Sequence, residues 1–261
     1  MTEVRTRVLV SIFLIPFALC ALYFGGILLA LLFGVVASIG SFEYIVMMRK
    51  ADIRIPYFWM AVSVACYAFL VSNHLYDLPI IWLVFLVASI ESLVSWNQKS
   101  SIPRMMASFL GIMYTSFLPA MITRIELQNP DKKILLALIL MIWIVDTSAY
   151  FFGMSFGKRR NITAVSPRKS LVGFVAGGLA PFVIVVILYL FRFSLLPMRQ
   201  LLLIAFAAGI FGQIGDLVES MLKRFCGVKD SSNLIPGHGG VLDRSDSILL
   251  AGSFLYCALI F

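Results

Sequence analysis

Charged residues are scarce in this sequence. Only 13% of its 261 residues are Asp, Glu, Lys or Arg, whereas 61% are hydrophobic. A typical soluble domain carries about 25% charged residues, so this composition excludes an ordinary soluble fold and indicates a polytopic membrane protein. The apolar runs are long and unbroken, which favours transmembrane helices over barrel strands, because barrel strands alternate in polarity over roughly ten residues.

Cysteine pairs and the common motifs of soluble enzymes are also missing. The four cysteines show no Cys-x-x-Cys spacing, so we predict that they pack within the protein and form neither disulfides nor a zinc site. No Walker loop, dinucleotide-binding glycine fingerprint or Ser-His-Asp set is present, which argues against a soluble type of nucleotide-binding fold. There is no internal repeat, and the first apolar run lacks a small-residue cleavage site, so no cleavable signal is expected. The cysteines are Cys20, Cys66, Cys226 and Cys257.

Nine apolar runs are present, and each supplies roughly the twenty residues that a membrane span needs. They lie near 8–24, 27–48, 56–72, 79–96, 105–122, 134–152, 171–191, 199–222 and 247–261. We therefore predict an all-α polytopic protein of about nine transmembrane helices with a polar cavity that faces the cytoplasm. Residues 1–261 are predicted to form a single membrane domain, with N-terminal helices in 1–133 and C-terminal helices in 134–261.

The basic residues predict the orientation of these helices. If the N-terminus is counted as the first connection, sixteen of the 21 Lys and Arg residues lie in odd-numbered connections and five in even-numbered ones. By the positive-inside rule, the odd-numbered connections are cytoplasmic. The N-terminus and the charged segment 220–247 are thus predicted on the cytoplasmic side of the cell's inner (plasma) membrane.

Five carboxylates lie inside the predicted spans or at their ends, all in the predicted cytoplasmic half. An ionisable group at membrane depth costs several kcal/mol unless it is paired or wetted, so it usually marks a site. For Glu43 and Glu91 we favour snorkelling or pairing with a nearby cation, whereas the other three are interpreted as site residues. The five are Glu43, Glu91, Asp146, Asp216 and Glu219. The nearby cations are Arg49, Lys50 and Lys99.

Residues 220–247 form a polar, charged segment of a kind found nowhere else in the chain. Its Pro236-Gly237-His238-Gly239-Gly240 core favours a backbone bent closely around a ligand. Cations, carboxylates and exposed peptide N–H groups in one loop suit a polyphosphate and its metal ion. His238 is interpreted either as a hydrogen-bond donor to phosphate or as a residue that stabilises the turn.

The helix before this segment carries a polar face, because four of its polar residues follow three- and four-residue steps. That face is formed by Gln213, Asp216, Ser220 and Lys223. Together with carboxylates from the segment and from a neighbouring helix, it offers enough oxygen ligands for Mg²⁺. The candidate ligands are Asp146, Asp216, Asp243 and Asp246. The alternative is an internal salt-bridge network without a metal, with Lys223, Arg224 and Arg244 as its cations.

A second basic cluster precedes the run at 171–191. Such a group of cations at membrane level suits the phosphate of a lipid headgroup or the triphosphate of a nucleotide, and the alternative is that it only anchors the topology. Ser166-Pro167 ends any helix before the next span. The cations of the cluster are Lys158, Arg159, Arg160, Arg168 and Lys169.

Segment 220–247 resembles the signature of the phosphatidate cytidylyltransferase (CDP-diacylglycerol synthase) family. The positions that match in register are Ser220, Lys223, Arg224, Lys229, Asp230, His238, Gly239, Gly240, Asp243, Arg244 and Asp246. The resemblance extends upstream through Asp146-Thr147, the Ser166-Pro167-Arg168-Lys169-Ser170 segment and Gly215-Asp216-Leu217. Two positions depart from the family pattern: Ser245 replaces an apolar residue, and Val172 replaces an acidic residue found in many members.

The resemblance implies an enzyme that converts CTP and phosphatidic acid into CDP-diacylglycerol and pyrophosphate in the lipid bilayer, with no nucleic acid partner. It implies Mg²⁺ as the cofactor; a second, monovalent cation such as K⁺ and a homodimer are left open. The implied catalytic residues are Asp216, Lys223, Asp243, Arg244 and Asp246. The implied substrate-binding residues are Ser166, Arg168, Lys169, Ser220, Arg224, Lys229, His238, Gly239 and Gly240.

Two alternatives come from other classes of protein. An ion-coupled transporter would also carry intramembrane carboxylates, but its site is expected near the midplane between repeats, whereas here the polar residues cluster at one face. Another CTP-dependent lipid enzyme, such as a polyprenol kinase, would share the nucleotide and metal requirements. Labelled cytidine separates the two enzymes, since it enters the lipid only in cytidylyl transfer.

Overall fold

The computed structural model describes residues 3–129, 133–158, 163–193 and 196–260, without the side chains of 3–9, 11 and 74. These residues form nine continuous helices and no β-sheet. The helices are α1 (Glu3–Phe24), α2 (Gly26–Lys50), α3 (Phe58–Ser72), α4 (Asp77–Val94), α5 (Ser101–Gln128), α6 (Lys133–Phe156), α7 (Leu171–Leu190), α8 (Met198–Phe225) and α9 (Leu242–Ile260). Each contains most of one predicted apolar run, because a span in lipid must satisfy its own backbone hydrogen bonds. The all-α prediction is confirmed.

Six of the described helices are long and apolar enough to cross a membrane: α2, α4, α5, α6, α7 and α8. α1 and α3 contain shorter apolar stretches, Ile12–Phe24 and Phe58–Ser72. Only 22% of the residues in the apolar stretches of α4 and α7 are buried, and the exposed side chains include many large apolar ones, as expected for helices in contact with lipid. The chain is therefore a multi-pass membrane protein.

The helices that carry the predicted site residues pack against one another. α8 and α9 lie side by side, α9 also packs against α5, and α6 packs along α7. The α7 backbone comes close to α6 at Gly173, where a Cβ atom would lie 2.5 Å from the carbonyl oxygen of Ala149. Small residues permit such close approach between membrane helices. This glycine therefore serves packing within the chain.

Two helices contain a π-helical stretch, Met113–Phe117 in α5 and Ala207–Gly212 in α8. A π turn inserts one residue into a helix and rotates everything that follows it, and such turns are common near functional sites. In α8 the stretch ends immediately before Gln213. It therefore sets the direction in which the polar face that begins at Gln213 points.

A buried arginine joins the helices at the end of the bundle opposite residues 226–241. Arg124 on α5 is 2% exposed and donates to both carboxylate oxygens of Asp77 at the start of α4, at 2.7 and 2.8 Å. It also donates to the carbonyl oxygen of Leu70 near the end of α3, at 2.8 Å from Nε. We call the other end, which carries 226–241, the polar end.

Candidate active site

The polar face of α8 points into the polar end of the bundle. Gln213 donates to the carbonyl oxygens of Phe174 on α7 and Gly209, and Ser220 lies 3.4 Å from Asp216 Oδ1. One turn further on, Lys223 reaches α9. The predicted helix face is therefore present, and it faces α7 at one end and α9 at the other.

Lys223 is the centre of a buried ion-pair network. Its Nζ atom lies 3.0 Å from Glu219 Oε2 and 2.6 Å from Asp243 Oδ1. The Glu219 side chain is fully buried, and its Oε1 atom has no hydrogen-bond partner among the described residues. The salt-bridge network that the sequence left open thus exists around Lys223. Arg224 and Arg244 instead donate to backbone carbonyl oxygens.

Asp243 holds the loop that precedes α9. Its Oδ2 atom accepts hydrogen bonds from the backbone N and Oγ of Ser231 and from the backbone N of Gly240, at 2.8 to 2.9 Å. Burial alone would raise the pKa of Asp243, which precedes the apolar part of the helix, but the hydrogen bonds from Lys223, Gly240 and Ser231 lower it overall. These donors occupy Oδ2, whereas Oδ1 accepts from Lys223 alone and keeps a lone pair for a metal ion, so that role stays a prediction.

Residues 235–239 form a tight turn. The backbone N of Ile235 donates to the carbonyl oxygen of Gly239, and Arg244 donates from Nε and Nη2 to the carbonyl oxygen of His238, at 2.9 and 2.6 Å. Gly239 has a φ of 85°, a conformation that favours glycine, and a Cβ there would lie 2.6 Å from Asp243 Oδ2. Arg244 therefore holds the turn through the Nε and Nη2 atoms of its guanidinium.

The basic segment before α7, which contains Arg168 and Lys169, lies against α8. Lys169, just before α7, places Nζ 2.5 Å from Asp216 Oδ2. Arg224 Nε donates to the carbonyl oxygen of Val165, which joins the segment before α7 to the end of α8. Arg168 and Lys169 both line a cavity between α6 and α7. Lys229, in the loop before α9, is exposed. Ser166 lies in the turn that leads to Lys169, and two cations of the predicted cluster, Arg159 and Arg160, lie outside the described residues.

Three cavities meet at Asp146. The central cavity, of about 310 Å³, lies between α6, α8 and α9. A second, of about 410 Å³, separates α6 from α7 and has Arg168 and Lys169 in its wall. A third, of about 400 Å³, has apolar walls from α1 and α6 and reaches His238 and Arg244. The central cavity is lined by Asp146, Asp216, Lys223, Asp230, Asp243, Arg244, Asp246 and Ser247.

The charges around the central cavity fit a divalent cation. Five aspartates and only two cations line it, and carboxylate oxygens are the ligands that Mg²⁺ prefers. Asp146 has no hydrogen bond or ion pair with any described residue, and Asp246 accepts the neighbouring Ser247 N–H and lies beside the Glu219 side chain. Among the described residues no three acidic, His or Cys side chains converge closely enough to hold an ion alone. Water and substrate oxygens would complete its coordination.

The interpretation of Glu43 was wrong. Glu43 neither snorkels nor pairs with Arg49 or Lys50: it is 1% exposed and accepts four hydrogen bonds from the loop and the start of α9. Glu91 does pair with a cation, but its partner is Arg104, at 3.2 Å. The sequence signal for Glu43 is a carboxylate in an apolar helix, and that signal does not identify the partner.

The two departures from the family pattern are accommodated in different ways. Ser245 is buried at the start of α9 and donates from Oγ to the carbonyl oxygen of Val241 at 2.9 Å, so its hydroxyl is satisfied within the helix. Val172 lies in the first turn of α7 with its side chain exposed. Neither residue disturbs the helix that carries it.

Known proteins match this chain over nearly its whole length. A phosphatidate cytidylyltransferase of Bacillus subtilis (strain 168) is 32% identical over 99% of this chain and 98% of its own length. Proteins of the same name from Haemophilus influenzae and Thermotoga maritima are 33% and 31% identical, over 96% and 98% of this chain and 96% of each relative. The model of the Cytidylyltransferase family matches residues 5–261. Because this match covers nearly the whole length, the chain belongs to the Cytidylyltransferase family.

Proposed function

We propose that this protein transfers the cytidylyl group of CTP to phosphatidic acid and releases pyrophosphate, as the names of its relatives suggest. The observation that carries the proposal is the meeting of a polar, carboxylate-lined cavity with two cavities that have apolar walls. A nucleotide needs the polar cavity, and a phospholipid needs an opening towards the bilayer. Both substrates can then reach the same aspartates.

The chemistry requires two anions to approach each other. An oxygen of the lipid phosphate attacks the α-phosphorus of CTP, a new P–O bond forms, and the bond to the bridging oxygen of the β-phosphate breaks. The attacking phosphate is already ionised, so neither a strong general base nor a protein nucleophile is needed. Catalysis of this kind depends mainly on positioning and on stabilisation of charge.

Within this proposal the two basic groups hold different phosphates. Arg168 and Lys169 line the cavity between α6 and α7, whose outer wall includes the exposed side chains of Tyr150 and Met154, and we assign these two cations to the lipid phosphate. We assign Lys223 and Arg244, which line the central cavity, and Arg224, at the end of α8, to the nucleotide triphosphate. Lys169 also contacts Asp216, so the two phosphate sites would adjoin.

Asp146, Asp216 and Asp246 are the residues that we expect to hold Mg²⁺, because their carboxylates face the central cavity. When bound, the ion would neutralise charge on the α-phosphoryl group and the departing pyrophosphate. A monovalent companion ion and a homodimer stay predictions.

The test supplies purified protein with phosphatidic acid, Mg²⁺ and CTP labelled either in cytidine or in the γ-phosphate. We expect the cytidine label to enter the extracted lipid and the γ-phosphate label to appear in pyrophosphate. Diacylglycerol or a polyprenol in place of phosphatidic acid serves as the control. Transfer of the γ-phosphate label to lipid would indicate a kinase instead, and no lipid label in either form would contradict enzyme activity on this lipid.

We also propose that the polar end lies on the cytoplasmic side of the plasma membrane, on the basis of the uneven distribution of Lys and Arg. A cysteine at Asn233, which is exposed in the loop, should react with an impermeant thiol reagent only after the cytoplasmic face is opened. Ser231 is unsuitable because it is buried and hydrogen-bonded. A cysteine at Leu75, exposed at the opposite end, is the matched control and should react in intact cells. The reverse pattern would overturn the orientation.

A further inference from the structure

Glu43 lies on α2, far from the charged segment in sequence, yet its carboxylate is fully occupied by that segment. Oε1 accepts hydrogen bonds from Ser232 Oγ at 2.6 Å and from the backbone N of Val241 at 2.9 Å. Oε2 accepts from the backbone N of Leu242 at 2.9 Å and shares the single hydroxyl proton of Ser231, whose Oγ is 3.0 Å away, with Asp243 Oδ2. Each carboxylate oxygen therefore contacts both ends of the loop 231–242.

Two of these donors belong to the start of α9. The first N–H groups of a helix have no partner within the helix, and a negative charge beside them is favourable. Such groups are usually capped by a residue just before the helix. Here the cap for Val241 and Leu242 comes from another helix, so it fixes the position of α9 relative to α2.

The contact leaves no room for adjustment. A Cβ at Gly240 would lie 2.5 Å from Glu43 Oε1 and would also overlap Ser231 Oγ. One turn before Glu43, a Cβ at Gly40 would lie 2.9 Å from Leu242 Cδ2. Backbone and carboxylate therefore meet directly, and any other position of the loop would lose hydrogen bonds.

The same loop residues lead to the site. Ser231, which contacts Glu43 Oε2, also contacts Asp243 Oδ2 at 2.9 Å, and Asp243 in turn binds Lys223. Asp246 lies one turn further along α9, in the wall of the central cavity. The position of the start of α9 therefore determines where these aspartates point.

We propose that Glu43 is a positioning residue for the reaction: its carboxylate clamps both ends of loop 231–242 and so places Asp243 and Asp246 in the central cavity. This inference rests on the proposed function. Glu43 does not line the described cavities, so it acts through the loop and not on a substrate.

The test is Glu43→Gln, which keeps the shape but turns one acceptor oxygen into an NH₂ group that faces donors. We expect kcat per folded molecule to fall by about 10- to 100-fold, the range seen when groups that orient a site are removed, with a smaller change in the two KM values. Hydrogen exchange of peptides that span Val241 and Leu242 should become faster. Exchange requires no substrate, so it reports on the clamp independently of turnover.

Glu126→Gln is the matched control. Glu126 Oε1 accepts a hydrogen bond from Gly26 N at 3.0 Å, so it also caps a helix start, at the opposite end of the bundle. This variant should keep the wild-type kcat per folded molecule. A purely structural role for Glu43 would lower the yield of folded Glu43→Gln protein and leave its kcat per folded molecule unchanged.

Unchanged kcat per folded molecule in Glu43→Gln, or unchanged exchange at Val241 and Leu242, would overturn the proposal. If Glu43→Gln does not fold, Ser232→Ala serves in its place, because it removes a single donor to Oε1. This variant should lower kcat several-fold and make exchange at Val241 and Leu242 faster. Wild-type kcat together with wild-type exchange in Ser232→Ala would also overturn the proposal. If wild-type protein forms no cytidylyl lipid, the proposed function fails, while the exchange measurement still decides whether Glu43 holds the loop.

Discussion

Asp216→Asn is expected to lower turnover by about 100-fold or more, since loss of a direct ligand should cost at least as much as loss of a residue that orients one. The Asp216 carboxylate lines the central cavity and the cavity between α6 and α7, and it pairs with Lys169 at 2.5 Å. Asparagine preserves the shape of the side chain. It removes the charge that attracts a hard cation and that pairs with the lysine.

Initial rates measured over a wide range of Mg²⁺ concentrations check this expectation, with Asp52→Asn as the matched control. Asp52 is exposed at φ 59°, a backbone conformation that asparagine tolerates, so the control should keep the wild-type rate. Partial recovery of Asp216→Asn at high Mg²⁺ would support a ligand. Wild-type turnover at ordinary Mg²⁺ would remove Asp216 from the site.

Asp246→Asn should behave in the same way, whereas Asp243→Asn should differ. Asp243 accepts hydrogen bonds from Lys223, Ser231 and Gly240, so the amide would disturb the loop as well as the charge. A lower yield of folded protein is therefore expected for Asp243→Asn alone among the three.

Lys223→Met is expected to have the largest effect on stability. The lysine is 12% exposed and is the only cation in contact with Glu219 and Asp243 among the described residues. Removal of one partner of a buried ion pair leaves an uncompensated charge and typically costs about 3–5 kcal/mol. For a chain of this size, about 3 kcal/mol lowers the unfolding temperature by roughly 6–12 °C.

Thermal unfolding in detergent measures this effect, and Lys99→Met is the control because Lys99 is exposed on a connecting loop. The double variant Lys223→Met with Glu219→Gln should recover part of the lost stability, since the second change removes the unpaired charge. Equal unfolding temperatures for Lys223→Met and Lys99→Met would mean that the ion pairs contribute little. If the stability changes of the two single variants simply add in the double variant, Glu219 and Lys223 are not coupled.

The sequence predicted those features that depend on neighbours in the chain. Helix positions follow from hydropathy, because the bilayer sets the length of an apolar span. The shared face of Asp216, Ser220 and Lys223 follows from the helical repeat. Both are local properties, and both agree with the structure.

Contacts between distant segments could not be predicted in this way. The hydrogen bond between Glu43 and Leu242 joins residues 199 positions apart, and the pair of Lys169 with Asp216 joins residues 47 positions apart. Such contacts depend on how α2, α7, α8 and α9 pack. A carboxylate in an apolar helix indicates that a partner exists, and only the packing shows whether that partner is a cation or a set of backbone N–H groups.

The ion pair of Lys169 with Asp216 also has a thermodynamic consequence. An anion bound at Lys169 would lie close to the Asp216 carboxylate, and like charges repel strongly where water is partly excluded. A cation at Asp216 removes that repulsion, so binding of the anion and of the cation become linked. Linkage is reciprocal: each ligand raises the affinity for the other by the same factor. The pair therefore favours joint occupancy of the two cavities over occupancy of either one alone.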